Sequence, residues 1–285
     1  MDAIENILKE NNQDYIYAKI DGERCHPGNS YKATNCLIPF DEKIFIECDT
    51  EKEYENSIYL DHHKEGDFGY DKKYHLFLEA SSIGQLIAYL IDNDSYIAEP
   101  EDFYVRACFT GYMYFKKHGW YYRKSLNEFI KIPQKIVLIA AGDHSLCECY
   151  KGLCSGVEKN DLFQERIFEI ASNFNDDVEL IQRTMNKYKF MFLERSDEIL
   201  DLRDLNLGIG YSVDYLCLRE LAIMNNQAIL VKTKDNEESL ERIMFLSLNE
   251  EVATSIIKNK AYKDIHLENI FGVPIRGYVG GYIIQ

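Results

Sequence analysis

Ser57-Ile58-Tyr59-Leu60-Asp61-His62-His63-Lys64-Glu65-Gly66-Asp67 is an apolar run that ends abruptly in one carboxylate and two imidazoles. Ile58 and Leu60 share a face at the period of a strand, so the stretch predicts a buried strand whose chain leaves the core at Asp61. It would deliver adjacent metal-type ligands to the edge of a sheet, where open α/β sheets bind their ligands. The plain alternative is a polar loop that holds two of the chain's seven histidines. The surroundings favour a site. Gly66 and Gly69 follow, then Glu79-Ala80-Ser81-Ser82-Ile83-Gly84-Gln85-Leu86-Ile87, in which small residues run into apolar ones. That is the pattern of a helix start, with Ser81 or Ser82 as its N-cap.

A second stretch repeats the logic. Lys135-Ile136-Val137-Leu138-Ile139-Ala140-Ala141 is a continuous apolar run between Pro133 and Gly142, and it predicts a central parallel strand buried on both faces. It runs into Asp143-His144. Two buried strands that each end in Asp-His imply one shared pocket. Lys43-Ile44-Phe45-Ile46-Glu47-Cys48-Asp49-Thr50 predicts a third strand, with Glu47 and Asp49 on one face, so either carboxylate reaches the same pocket.

A strand ending in Asp61-His62-His63, followed by the Ala80-Ser81-Ser82-Ile83-Gly84-Gln85-Leu86-Ile87 helix start, resembles the central motif of the DHH phosphoesterase superfamily. Lys135 to Asp143 is similar to that family's later strand, which ends in Gly and a metal-binding Asp. The resemblance covers roughly residues 40 to 150. It implies a metal-dependent phosphoesterase, with Asp61, His62 and Asp143 as ligands and Asp49, favoured by position, or Glu47 completing the set. His63 then positions the phosphate or protonates the leaving oxygen, and His144 is a further ligand or acid. The family's Asp-x-Asp motif is missing near the N-terminus, where Glu23 to Lys32 is a polar loop with a Pro-Gly turn. His26 or Asp21 is the substitute ligand, and Asn29, Tyr31 or Lys32 faces a phosphate; an ordinary hairpin loop is the competing reading.

The formal net charge of −16 and a pI near 4.9 argue against wrapping long duplex nucleic acid, because such binding rests on neutralising phosphates with Lys and Arg. A small anionic substrate remains compatible, since a bound cation reverses the field within one cleft. With 46% hydrophobic and 28% charged residues the composition is that of an ordinary globular protein. Eight Cys without an apolar leader predict reduced thiols and a cytoplasmic location, and no stretch is long and apolar enough for a membrane role. Cys147, Cys149 and Cys154 lack the spacing of a zinc knuckle, so buried thiols are the expectation.

At 285 residues the chain fits one large or two modest domains. The expected class is α/β: a mostly parallel sheet with flanking helices over residues 1–157, a helical linker over 158–205, and a smaller α/β domain over 206–285. Ile4, Ile7 and Leu8 have helical spacing, and Asp21-Gly22 is a turn signal. Between Tyr96 and Phe129 aromatic residues are dense; Ala107, Gly111 and Phe115 recur at four-residue intervals and predict a buried helix face, with a stacking wall for nucleobases as the alternative. The glycine-rich end, Gly272 to Tyr282, is similar in place and composition to the family's substrate-binding loop. There Arg276 would hold a phosphate, with Gly280 and Gly281 admitting backbone amides, and a hairpin closing the last sheet is the competing reading.

The function expected is hydrolysis of a phosphodiester or phosphoanhydride bond in a small phosphorylated, nucleotide-type substrate, with one or two divalent ions. Oxygen and imidazole donors without thiolate suit Mn2+, and Mg2+ less well. The competing function is a non-catalytic nucleotide-binding protein with an altered metal site.

Overall fold

The structure is a computed structural model that describes residues 2–25, 30–34, 43–50, 54, 57–97, 113–116, 119–125, 128–193, 198–205, 207–208, 212–234, 241–274 and 277–283. It is mixed α/β and divides into two compact units, Met1–Leu162 and Phe163–Gln285.

The first unit opens with α1 (Asp2–Glu10), whose Ile4 and Ile7 are buried. A short hairpin follows, β1 (Lys19–Ile20) and β2 (Glu23–Arg24), turned by Asp21 and Gly22 at φ of 50° and 89°. Two successive left-handed residues are what a tight hairpin turn demands, which is why Asp-Gly stands there. Next, β3 (Lys43–Ile46) pairs in parallel with β4 (Ser57–Leu60), register Ile46 opposite Leu60. α2 (Phe77–Ala80) then breaks at Ser81 into α3 (Ser82–Asp92). The Ser81 hydroxyl accepts from Gly84 N–H at 3.2 Å and donates to the Leu78 carbonyl, so it caps α3 and ties it to α2.

From Met113 on, the described part of the aromatic stretch is a sheet. β5 (Met113–Lys116), β6 (Gly119–Ser125) and β7 (Glu128–Ile132) form an antiparallel meander. Phe115 stands exposed on β5, while Trp120 is buried edge-on against Phe77. Ala107 and Gly111 lie outside the described residues. At Phe115 the expected helix gives way to a strand, in keeping with the aromatic residues' preference for a pleated, half-buried surface.

The largest correction concerns Lys135 to Ala141. This run is part of α4 (Gln134–His144), entered through Pro133 and followed by the short α5 (Leu146–Tyr150). A continuous apolar run does not distinguish a buried strand from a buried helix. Here Val137, Leu138, Ala140 and Ala141 are buried at helical spacing, and α4 packs against α2 and α3. Cys149 and Cys154 are buried thiols.

The second unit includes most of α6 (Lys159–Phe174) and α7 (Val178–Lys189), capped by Asp177. Their residues Ile167, Ile170, Ile181 and Met185 share a core with Leu218 and Leu221 of α8 (Val213–Asn225), so these helices are part of a packed layer rather than a linker. That core covers one face of a six-stranded sheet. In spatial order the sheet runs β11 (Ala261–Tyr262), β12 (Ile265–Val273), β13 (Tyr278–Ile283), β10 (Glu241–Leu246), β9 (Ile229–Lys234) and β8 (Leu200–Asp201). Alternation splits its strands cleanly: Val231 and Met244 face the α6–α8 side. Leu230 and Ile243 face α9 (Glu250–Asn259), where they meet Ala253 and Ile256.

A mostly parallel sheet is therefore not what forms. Within the described strands only the β3–β4 and β8–β9 pairs run parallel; the others are antiparallel. Among the described residues no helix is long and apolar enough to cross a membrane.

Candidate metal centre

β4 ends at Leu60, and the chain turns out of the core with Asp61 and His62 still buried, at 4% and 1% exposure. α3 holds this exit. Gln85 donates from its side-chain amide to the Asp61 carbonyl at 3.0 Å and to the Ala80 carbonyl at 2.7 Å, while Gly69 N–H donates to the Asp61 carbonyl at 3.2 Å. Ser82 hydrogen-bonds His62 Nδ1 at 3.2 Å. The small-residue helix start is thus explained locally: Ser81 caps α3, while Ser82 and Gln85 bind the segment that carries the site. Gly69 must lack a side chain, because a Cβ there would come within 2.6 Å of His62 Cβ and closer still to the Ala80 carbonyl.

Asp61 is heavily engaged. Its Oδ1 accepts from His62 N–H at 2.6 Å and from His63 Nδ1 at 2.6 Å, and its Oδ2 accepts from the Tyr31 hydroxyl at 2.6 Å. Burial pushes this carboxyl up, but the bonds from His63, Tyr31 and the His62 backbone outweigh it and hold the pKa down to about 2. Burial and the neighbouring Asp61 carboxylate together push the Tyr31 hydroxyl well up, so it stays a donor. With Nδ1 of His63 bound to an ionised Asp61, Nε2 is the nitrogen that exchanges protons.

Asp143 reaches the same place from the C-terminal end of α4. Its Oδ2 lies 3.7 Å from His62 Nδ1. Glu47 completes the group: Glu47, His62 and Asp143 offer ligand atoms that lie within 4.8 Å of one another, as do Asp61, His62 and His63. His144 stands edge-on to His62, ring centroids 5.3 Å apart, and its Nε2 meets the Lys72 carbonyl at 3.1 Å.

The competition between Glu47 and Asp49 has a local cause. The strand stops at Ile46, and Glu47 adopts a left-handed φ of 51°, which breaks the alternation that would have kept both carboxylates on one face. Glu47 falls in a group that could hold a metal ion, whereas Asp49 pairs with Lys64 at 2.9 Å. Nothing in the residue sequence signalled that turn. Tyr31, weighed from sequence as a phosphate contact, donates to Asp61.

Lys32 is exposed beside Tyr31 at the end of a single 3-10 turn. His26, Asn29 and Arg276 lie outside the described residues. Gly280 and Gly281 are buried in β13. A Cβ on Gly280 would strike the Phe271 ring and the Met244 sulfur, so this glycine makes room for cross-strand packing within the last hairpin.

Comparison with protein-family models, with curated proteins and with solved structures gave no match.

Proposed function

We propose that the chain is a divalent-metal-dependent hydrolase that cleaves a phosphodiester or phosphoanhydride bond in a small nucleotide-type substrate. The observation that carries this is the convergence of Glu47, His62 and Asp143, from the end of a strand, a loop and the end of a helix, to within 4.8 Å of one another. Two carboxylates beside a buried imidazole form a hard oxygen and nitrogen donor set without thiolate. That set fits Mn2+ well and Mg2+ less well. Bound there, such a cation supplies Lewis acidity and a template for a phosphoryl group.

The chain's own residues do the rest. Glu47, His62 and Asp143 would hold the ion, and Ser82 orients the His62 ring through Nδ1. Asp61 orients His63 through Nδ1, so His63 Nε2 gives a proton to the leaving oxygen or takes one from the attacking water. Tyr31 keeps Asp61 ionised for that task. The resemblance to the DHH phosphoesterases points the same way.

A second reading, a nucleotide-binding protein without catalysis, is favoured by one observation: both oxygens of Asp61 are taken up by hydrogen bonds. Metal analysis of the purified protein and hydrolysis of bis(p-nitrophenyl) phosphate in manganese separate the two. Tight manganese with turnover abolished in His62→Ala supports the hydrolase. Absence of metal and of turnover rejects it.

A further inference from the structure

A cavity of about 530 Å³ opens in the first unit, in the size range of small-molecule sites. Ile4 and Leu8 of α1 and Leu86 and Leu90 of α3 give it apolar walls. The same cavity is lined by Tyr31, Glu47 and His63, so it is continuous with the candidate metal centre.

Its chemistry is not that of a simple oily pocket. Tyr15 and Tyr17 line it edge to face, ring centroids 5.6 Å apart, and the Arg24 guanidinium lies 3.8 Å over the Tyr17 ring. Glu5 also lines it, held by Lys9 at 2.5 Å and by the Tyr15 hydroxyl at 2.9 Å. These hydrogen bonds, with one from Tyr17, keep its carboxyl down at about 2, so it is a fixed acceptor. An alkyl chain seated here would meet the apolar walls alone and make no use of the tyrosines, the guanidinium or the carboxylate. A planar heteroaromatic ring uses all of them: its faces stack on tyrosine and guanidinium, and its N–H edge donates to the carboxylate.

We propose that this cavity receives the base and ribose of a nucleotide whose phosphate lies at Asp61, His62 and His63. The inference rests on the proposed phosphoesterase reading for the position of the phosphate, but not for the binding of the nucleoside. The base is recognised inside the first unit, by α1 and the segment around Tyr15 to Arg24, at a distance from the reacting bond. Binding energy from that remote part is available to align the phosphate for reaction.

The test is calorimetric titration of the full chain with the four ribonucleosides, with and without EDTA. Ribose 5-phosphate and n-octyl phosphate serve as base-free controls. Expected is binding of at least one nucleoside, unchanged within about twofold by EDTA, and weaker or absent binding of both controls. Tyr17→Ala weakens it at least tenfold, and Tyr17→Phe, which keeps the ring, retains most of it. Leu8→Trp, which fills the cavity from a half-buried helix position, abolishes it while the circular dichroism stays native. The proposal is overturned if no nucleoside binds, if octyl phosphate binds better, or if Tyr17→Ala and Leu8→Trp bind as the parent does. Manganese uptake and phosphodiester turnover are scored separately. Nucleoside binding without metal sinks the hydrolase and keeps the pocket; turnover without nucleoside binding does the reverse.

Discussion

His62 Nδ1 and Asp143 Oδ2 lie 3.7 Å apart, one on the loop after β4 and the other at the C-terminal end of α4. With the Glu47 carboxylate they make a group that could hold a metal ion, while Asp49 is engaged by Lys64. His62→Ala, Asp143→Asn and Glu47→Gln are each expected to weaken manganese binding at least tenfold. Asp49→Asn is expected to change it by less than about threefold. Titration of the apo protein with manganese measures all four. Equal losses in Glu47→Gln and Asp49→Asn would show that the left-handed turn at Glu47 does not select the ligand.

Tyr31 and Asp61 come together across 30 residues of sequence. A hydrogen bond to an ionised carboxylate contributes roughly 1.5–3 kcal/mol. Tyr31→Phe keeps the ring near His63 and removes only the donor. It is therefore expected to lower the unfolding free energy by about 2 kcal/mol in urea and to raise the pH at which Asp61 protonates. A loss below about 0.5 kcal/mol would mean that water replaces the hydroxyl.

The depressed pKa of Asp61 sets a pH window for the metal-free protein. Its folded value, about 2, lies below the ordinary carboxyl value of 3.8. The unfolded chain takes up a proton first as pH falls, so the stabilisation is complete above about 4 and disappears as pH drops through the folded value near 2. The span corresponds to about 2 kcal/mol. Unfolding free energy measured between pH 5 and 2 should fall more steeply in the parent than in Asp61→Asn, by about that amount. Parallel curves would show that Asp61 titrates normally.

Legibility from sequence tracked the range of the cause. Features fixed by a few neighbouring residues were readable: the Asp21-Gly22 hairpin turn, a serine cap on α3 at Ser81 or Ser82, and β4 with its polar exit at Asp61. What failed was set by distant partners. The apolar run before Asp143 is a helix because α2 and α3 supply a curved apolar surface, not flanking strands. Antiparallel pairing of β9, β10, β12 and β13 leaves no mark in the period of each strand. Asp143 still lies beside His62, because a polar pair ending a buried element emerges at its boundary whether that element is a strand or a helix.

Gly66 and Gly69 both follow the histidines, yet they answer to different constraints. Gly66 has a φ of +99° with open space around it, so Gly66→Ala strains only the local backbone, for about 1 kcal/mol. Gly69 faces the Ala80 carbonyl and His62 Cβ, neither of which yields without moving the start of α3 or the ligand itself. Gly69→Ala is therefore expected to cost about 1–3 kcal/mol of stability and at least a tenfold loss of manganese affinity. Gly66→Ala should keep the parent's metal affinity. Urea unfolding paired with manganese titration on both variants checks this. If Gly69→Ala binds manganese as the parent does, His62 is not the ligand that the packing of α3 against the β4 exit holds in place.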